Sequence, residues 1–229
     1  MGTPLRLISS MATRALLAEL AATWQADHPD MPLAIESVGG VDATRRVTAG
    51  EPFDAIVLAS DAIDKLIAGG QIAGPRLDLV HSGVAVAVQA GASAPELGSE
   101  DAVQQAVRAA RSLGYSTGPS GTQLLKLFEH WGLAEELQPK LVQAPPGVPV
   151  GRLVAEGQVE LGFQQLSELM NLPGITVVGP LPPAIQITTT FSAGVAATST
   201  QPDAVQALLA WMASPATAGI KQRNGMEAA

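Results

Sequence analysis

Five short clusters in this 229-residue chain are built on small hydroxyl side chains, on glycine or on both. They are Ser9-Ser10, Gly39-Gly40, Ser60-Asp61, the run Ser116 to Thr122 and the run Gly147 to Gly151. The richest is "GYSTGPSGT" (114–122), which holds three glycines, the chain's single tyrosine and no charge. Chemistry at such clusters is the chemistry of holding an anion. Hydroxyls donate hydrogen bonds without carrying charge, and glycine lets backbone N–H groups come close to a ligand. A helix that starts nearby adds free N–H groups and a partial positive charge. Ser, Thr and Gly are also the usual residues of turns and caps, so each cluster taken alone reads equally well as a local stop. "GPSGT" lacks the lysine and spacing of a nucleotide-binding loop.

The candidate ligand contacts are Ser9, Ser10, Gly39, Gly40, Ser60, Ser120, Gly121, Thr122, Gln164 and Gln165. The two glutamines end the run "VELGFQQ" in neutral amides, which suit a carboxylate or an oxyanion. Arg14, Arg45, Arg46 and Arg152 lie near helix starts, where a guanidinium could grip a carboxylate with two bonds. Solvation at the surface is the plainer role for each, and Arg152 is the strongest functional candidate of the four. Acid or base work could fall to Tyr115, Glu36, His81 or Asp61, and spacing singles out none of them as catalytic. Thr188-Thr189-Thr190 fits an ordinary strand.

Composition narrows the function classes. The formal net charge is −8, which disfavours a nucleic-acid footprint. Small anions remain compatible with it, because local dipoles can outweigh a distant net charge. There is no cysteine and there are three histidines, so thiolate sites are excluded and neither a metal nor another cofactor is expected. Apolar runs such as "GVAVAV" are far shorter than the roughly 20 residues of a membrane span. The start "MGTPLRLISS" does not read as a secretory signal. The protein is expected to be periplasmic if a signal peptide has been removed and cytoplasmic otherwise.

The elements that must position these clusters alternate. "LRLIS" (5–9) predicts a strand and residues 11–28 a helix with apolar 3–4 spacing. Strand 32–38, a helix over 41–50, strand 53–60 and a short helix ending at Gly69-Gly70 follow. This β-α order predicts a parallel sheet covered by helices. After strand 82–89, the stretch "AGASAPELGSE" marks a candidate crossing to a second β/α set. That set comprises helices over 100–111, 120–131 and 150–157, with strands near 112–116, 140–144, 159–165 and 174–179. The run 184–197 predicts a long strand leading back, and "PDAVQALLAWMAS" a last long helix. Most polar clusters thus fall where a strand ends and a helix begins, the place where open α/β sheets collect ligands.

Across nearly its whole length the chain resembles the type 2 periplasmic binding-protein fold, and within it the molybdate-binding proteins of ABC importers. The resemblance rests on "ISSMATRALLAELAATW", "VTAGEPFDAIVLASDAIDKLIAGGQI", "GPSGTQLLKLFEHWGL", "LVAEGQVELGF" and "ALLAWMASPATAGIKQRNGM". It implies an α/β protein of two Rossmann-like lobes, joined by two hinge crossings, with an anion dehydrated in the cleft between them. The expected division is 1–86 plus 188–229 for one lobe and 87–187 for the other. The pocket departs from the molybdate pattern. Met11 takes the place of the first serine, a serine run becomes Gly39-Gly40-Val41, and Gln165 stands where a tyrosine is usual. Ser120 keeps the place of a backbone donor.

With two hydroxyls missing, the implied ligand shifts from molybdate towards a carboxylate. The expected function is that of a solute-binding protein for a small anion, with an importer's membrane subunit as partner if periplasmic. The alternative is suggested by aconitate isomerases, which use the same fold to shift a double bond in a tricarboxylate without a cofactor.

Overall fold

The structure, a computed structural model, describes residues 3–229. In chain order it contains β1 (Leu5–Ser10), a 3-10 turn (Met11–Thr13), α1 (Arg14–Asp27), β2 (Leu33–Val38), α2 (Gly40–Thr48), β3 (Ala55–Ala59), α3 (Ser60–Ala68) and β4 (Ile72–Gln89). Then come α4 (Glu100–Ala109), β5 (Leu113–Tyr115), α5 (Pro119–His130), α6 (Ala134–Leu137), β6 (Leu141–Gln143) and α7 (Val150–Ala155). The remainder is β7 (Leu161–Gln165), α8 (Leu166–Leu169), β8 (Ile175–Pro180), β9 (Thr188–Ala196), α9 (Pro202–Ala213), α10 (Ala218–Arg223) and β10 (Glu227–Ala228).

The chain forms two compact units. The first lobe holds the residues up to His81 together with Thr190–Ala229, and the second holds Ser82–Thr189. The crossings therefore fall inside β4 and inside β9, earlier than residue 86 and later than residue 187. Strand β4 explains the difference. Residues 72–81 continue the strand read as starting at 82: β9 lies beside β4 in the sheet, and β10 pairs at the middle of β4, Glu227 with His81 and Ala228 with Val80. From Val84 onward β4 pairs instead with β7 and β8.

In the first lobe the strands run in the order β2-β1-β3-β9-β4. β1 lies parallel to both β2 and β3, as βαβ connections require. β9 pairs antiparallel with β3. The expected parallel sheet is present in β2, β1 and β3, and the returning strand joins it antiparallel because it arrives without a crossover helix. Period-two alternation divides the core between the sheet's faces. Ala55, Val57 and Ala59 join Leu7, Leu16, Leu20, Trp24, Leu208 and Met212 on one face. Ile56 and Leu58 join Ile8, Val47, Phe53, Ile63 and Leu66 on the other. Lys221 in α10 is 1 % exposed and its Nζ has no partner, so burial pushes its ammonium below the usual lysine range.

The second lobe repeats the plan. β5 is parallel to β6 and to β7, and β4 closes the sheet antiparallel to β7. Val84, Val86 and Val88 face a core of Val103, Val107, Leu124, Phe128 and Phe163, while Ala85 and Ala87 meet Leu169 on the opposite face. No helix among the described residues is long and apolar enough to cross a membrane.

Candidate functional site

In the first lobe three parallel strands end side by side. Ser10 lies opposite Val38 in the β1–β2 ladder, and Ser9 lies opposite Val57 in the β1–β3 ladder. Each carboxyl end feeds a helix, through the 3-10 turn to α1, at Gly40 for α2 and at Ser60 for α3. Ser10, Gly39-Gly40 and Ser60 therefore share one edge of one sheet. Among the described helices only α4 has a side-chain cap, Ser99 accepting from the Ala102 N–H at 3.2 Å. The caps of α2 and α3, Gly39 and Ala59, supply no such acceptor, so their first N–H groups stay open to a ligand.

The two serines of β1 differ. Ser9 is fully buried, and its hydroxyl meets that of Ser37 on β2 at 2.8 Å. Ser10 is 8 % exposed and its Oγ has no partner. Its carbonyl accepts from Thr13 Oγ1 at 3.2 Å, which fixes the turn into α1. A Cβ at Gly40 would sit 4.0 Å from that of Ser10, so this hydroxyl and the start of α2 are neighbours. Ser60 is half-buried, and Val41 beside Gly40 is 73 % exposed.

In the second lobe β6, β5 and β7 end similarly. The loop after β5 turns tightly, with Ser116 Oγ and Ser120 Oγ 3.1 Å apart and Ser120 buried. Gly121 is held there by packing, since a Cβ would come 1.9 Å from the Ser116 carbonyl oxygen. Thr122 is exposed, and its hydroxyl reaches back to the Gly118 carbonyl at 3.5 Å. The loop thus combines a backbone fold fixed by Gly121 with one half-buried hydroxyl pair.

Gln164 and Gln165 part company. Gln164 accepts the Val150 N–H at 2.7 Å and donates to Glu168 at 2.8 Å, which ties the start of α7 to α8. Gln165 reaches Thr189 Oγ1 at 2.8 Å and leaves its other amide atom, Oε1, buried without a partner. Amide oxygen and nitrogen are interchangeable in such a network. With the amide turned, the Thr189 hydroxyl donates to the oxygen and a free N–H faces the unfilled position. Ser167 Oγ is also buried and unpartnered.

The arginines are engaged elsewhere. Arg46 bonds Glu36 at 2.9 Å and Glu51 at 2.6 Å, Arg45 pairs with Asp42, and Arg152 pairs with Glu156 at 2.8 Å. Arg14 is exposed. Glu36 is bound by Arg46, which holds its carboxyl below the usual range. His81 bonds Thr190 Oγ1 at 3.0 Å, Asp61 is exposed and Tyr115 packs against the second-lobe core. Glu168 behaves differently. Burial pushes its carboxyl up to about 7, opposed by the Gln164 amide. The sequence reading missed it because "LSELM" looks like the solvated start of a short helix. The signal was its place three residues after Gln165.

Two cavities of about 180 and 190 Å³ lie away from these strand ends. One adjoins Thr48, Phe53 and Thr198 at the amino end of β3, and the other adjoins Leu77, Gly194 and Leu209. Neither contains a candidate residue. Among the described residues no group of three or more His, Asp or Glu is arranged to hold a metal ion.

Residues 5–227 match the family model described as bacterial extracellular solute-binding protein. The chain is 39 % identical over 184 residues to an aconitate isomerase of a Pseudomonas species, covering 80 % of this chain and 70 % of that protein. Its fold is similar to the periplasmic molybdate-binding protein of Azotobacter vinelandii, with TM-score 0.79, 20 % identity and coverage of 97 % of this chain and 98 % of the other. It is also similar to the substrate-binding domain of a putative molybdenum ABC transporter from Clostridium difficile, with TM-score 0.78, 16 % identity and full coverage of both chains. The two-lobed α/β architecture is thus that of type 2 periplasmic binding proteins, and the chain belongs to the bacterial extracellular solute-binding protein family.

Proposed function

We propose that this protein binds a small polycarboxylate at the strand ends that carry its neutral donors and shifts a carbon–carbon double bond within it, as an aconitate isomerase does. The observation that carries this reading is the 39 % identity to such an enzyme across 80 % of the chain. The donor set supports it. Ser10 Oγ, the open starts of α2 and α3 and the Gln165 amide are neutral donors suited to carboxylate oxygens.

The reaction needs no group beyond a proton carrier and anion donors. A base removes a proton from a methylene flanked by the alkene and a carboxylate. The double bond moves one position, and the proton returns to the former vinylic carbon. Negative charge gathers on carboxylate oxygens between the two transfers, where fixed N–H and O–H donors stabilise it most. The family membership and the molybdate-binding neighbours favour a second reading, simple anion capture for delivery to an importer's membrane subunit.

Proton NMR of trans-aconitate with purified protein separates the two. Conversion to the cis isomer, with deuterium entering the methylene in heavy water, is the expected result. Calorimetric binding of molybdate or a carboxylate without conversion or exchange overturns the enzyme reading and leaves capture.

A further inference from the structure

We propose that Val41 is a specificity-determining residue of the first-lobe strand ends, selecting polycarboxylates whose carbon skeleton bears no hydroxyl, an inference that rests on the polycarboxylate reading. Two independent observations mark the place. The first N–H of α2 with a helical acceptor is that of Ala43, bonded to the Gly39 carbonyl at 2.9 Å, so those of Gly40, Val41 and Asp42 open a nine-residue helix without one. Beside them lies Ser10, 8 % exposed, its Oγ unpartnered and its Cβ 4.0 Å from where a Gly40 Cβ would stand. Buried hydroxyls are rarely left so, and an anion seated on the start of α2 would complete this one.

Those donors read carboxylate oxygens, and carboxylate oxygens do not tell one polycarboxylate from another. Adding water across the double bond of an aconitate gives citrate or isocitrate, with the same three carboxylates and nearly the same length. Only a contact to the carbon skeleton can separate them. Val41 is placed to make it, because an acceptor held by its N–H lies within about 5 Å of its Cβ by covalent geometry alone. The carbons next to a carboxylate held there are within reach of the Val41 methyl groups.

The fold has no use for this side chain. Val41 is 73 % exposed, against 39 % for Met170 and 36 % for Leu77, the other large apolar side chains at the surface. α2 buries Ala43 and Val47 instead, and a β-branched residue adds nothing to helix propensity in that turn. Asp42 is paired with Arg45, so the first turn of α2 sets no free carboxylate against an anion. At the same edge Met11 is half-buried and Ser60 and Asp61 are polar, which leaves Val41 as the fully presented apolar surface. A ligand hydroxyl turned to Val41 gives up water and finds no partner, whereas a CH or CH2 group loses nothing. An enclosed apolar contact rejects an added hydroxyl by up to about 10²-fold, and one open on a side by about tenfold.

The test measures calorimetric affinities of wild type, Val41→Thr and Ser10→Ala for trans-aconitate and tricarballylate, which bear no hydroxyl, and for citrate and isocitrate, which do. Wild type is expected to prefer the first pair by about tenfold or more. Val41→Thr keeps the shape and supplies a hydrogen-bond partner, so the preference should shrink to about threefold or less at an unchanged melting temperature. Ser10→Ala should weaken all four to a similar degree and keep the preference. Wild type without a preference, or Val41→Thr with the preference intact, overturns the assignment and leaves the polycarboxylate reading standing. A preference lost equally in Ser10→Ala places the discrimination in the donors and also overturns it. A preference present in wild type and lost only in Val41→Thr, with no isomerisation by proton NMR, upholds Val41 and removes only the double-bond shift. Wild type that binds none of the four anions overturns both.

Discussion

The strand ends of the two lobes are built on one plan and equipped differently. Both place three parallel strands side by side and start helices from their carboxyl ends. The first lobe offers a lone hydroxyl, Ser10, beside a glycine-started helix, with its nearby charges held in the Arg46–Glu36–Glu51 cluster. The second offers amides joined to a carboxyl, with Gln164 linking Val150 to Glu168. One edge carries an unpartnered hydroxyl and the other a carboxyl raised by burial, so the same strand-end plan can present neutral donors or a titratable group.

The largest effect expected from breaking this comparison is steric. Gly121→Ala puts a Cβ 1.9 Å from the Ser116 carbonyl oxygen, whereas a Cβ at Gly39 meets nothing within 4 Å. Chemical denaturation should show Gly121→Ala destabilised by about 3 kcal/mol or more and Gly39→Ala changed by about 0.5 kcal/mol or less.

Next comes the pH response. Glu168 has a folded-state value of about 7 against 4.5 for an ordinary glutamate. Between those values the folded state binds more protons than the unfolded one, so stability falls as pH rises across the window and levels off above it. Wild type should lose on the order of 2–3 kcal/mol between pH 4.5 and 8 from this group alone. Glu168→Gln should lack that component of the slope, which melting curves across the range will show.

Gln164→Leu should cost about 1–3 kcal/mol, because it strands the buried Val150 N–H and one Glu168 oxygen. It also removes the group that holds the Glu168 carboxyl down, so the titration of that carboxyl should move to higher pH. The smallest effect on the fold belongs to Ser10→Ala. Its hydroxyl bonds nothing, so unliganded stability should be unchanged or slightly higher. Calorimetry should still show weaker polycarboxylate binding, by about 1 kcal/mol.

Much of the architecture was legible because local signals agreed. "AIVLA" is a fully buried strand bounded by polar residues, and Gly40 and Ser60 follow strand ends as their spacing predicts. The β4 extension was not legible. Gly74-Pro75 reads as punctuation, and only the sheet neighbours distant in sequence, β9 and β10, make the segment part of β4. At the site, residue type gave Ser9 and Ser10 equal standing. A cross-strand neighbour, Ser37, satisfies one of them and leaves the other free. Gln164 and Gln165 looked alike for the same reason, since successive strand residues face opposite sides. Glu168 was hidden because its raised carboxyl depends on burial, which one acidic residue in a short helix does not announce.

The placement of both crossings has a consequence for how the chain is made. The second lobe, Ser82–Thr189, is one uninterrupted stretch and can close its core while synthesis continues. The first lobe cannot, because Leu7, Leu16 and Leu20 pack against Phe191, Leu208 and Met212. Until β9 leaves the ribosome, the edge of β3 has no antiparallel partner, and an open apolar edge invites pairing with a neighbouring chain. At about 5–20 residues per second, the interval between Ala59 and Thr188 lasts on the order of ten seconds. Nascent lengths that stop short of β9 are therefore the ones most dependent on chaperones, and the earlier lobe in the chain is the later one to finish.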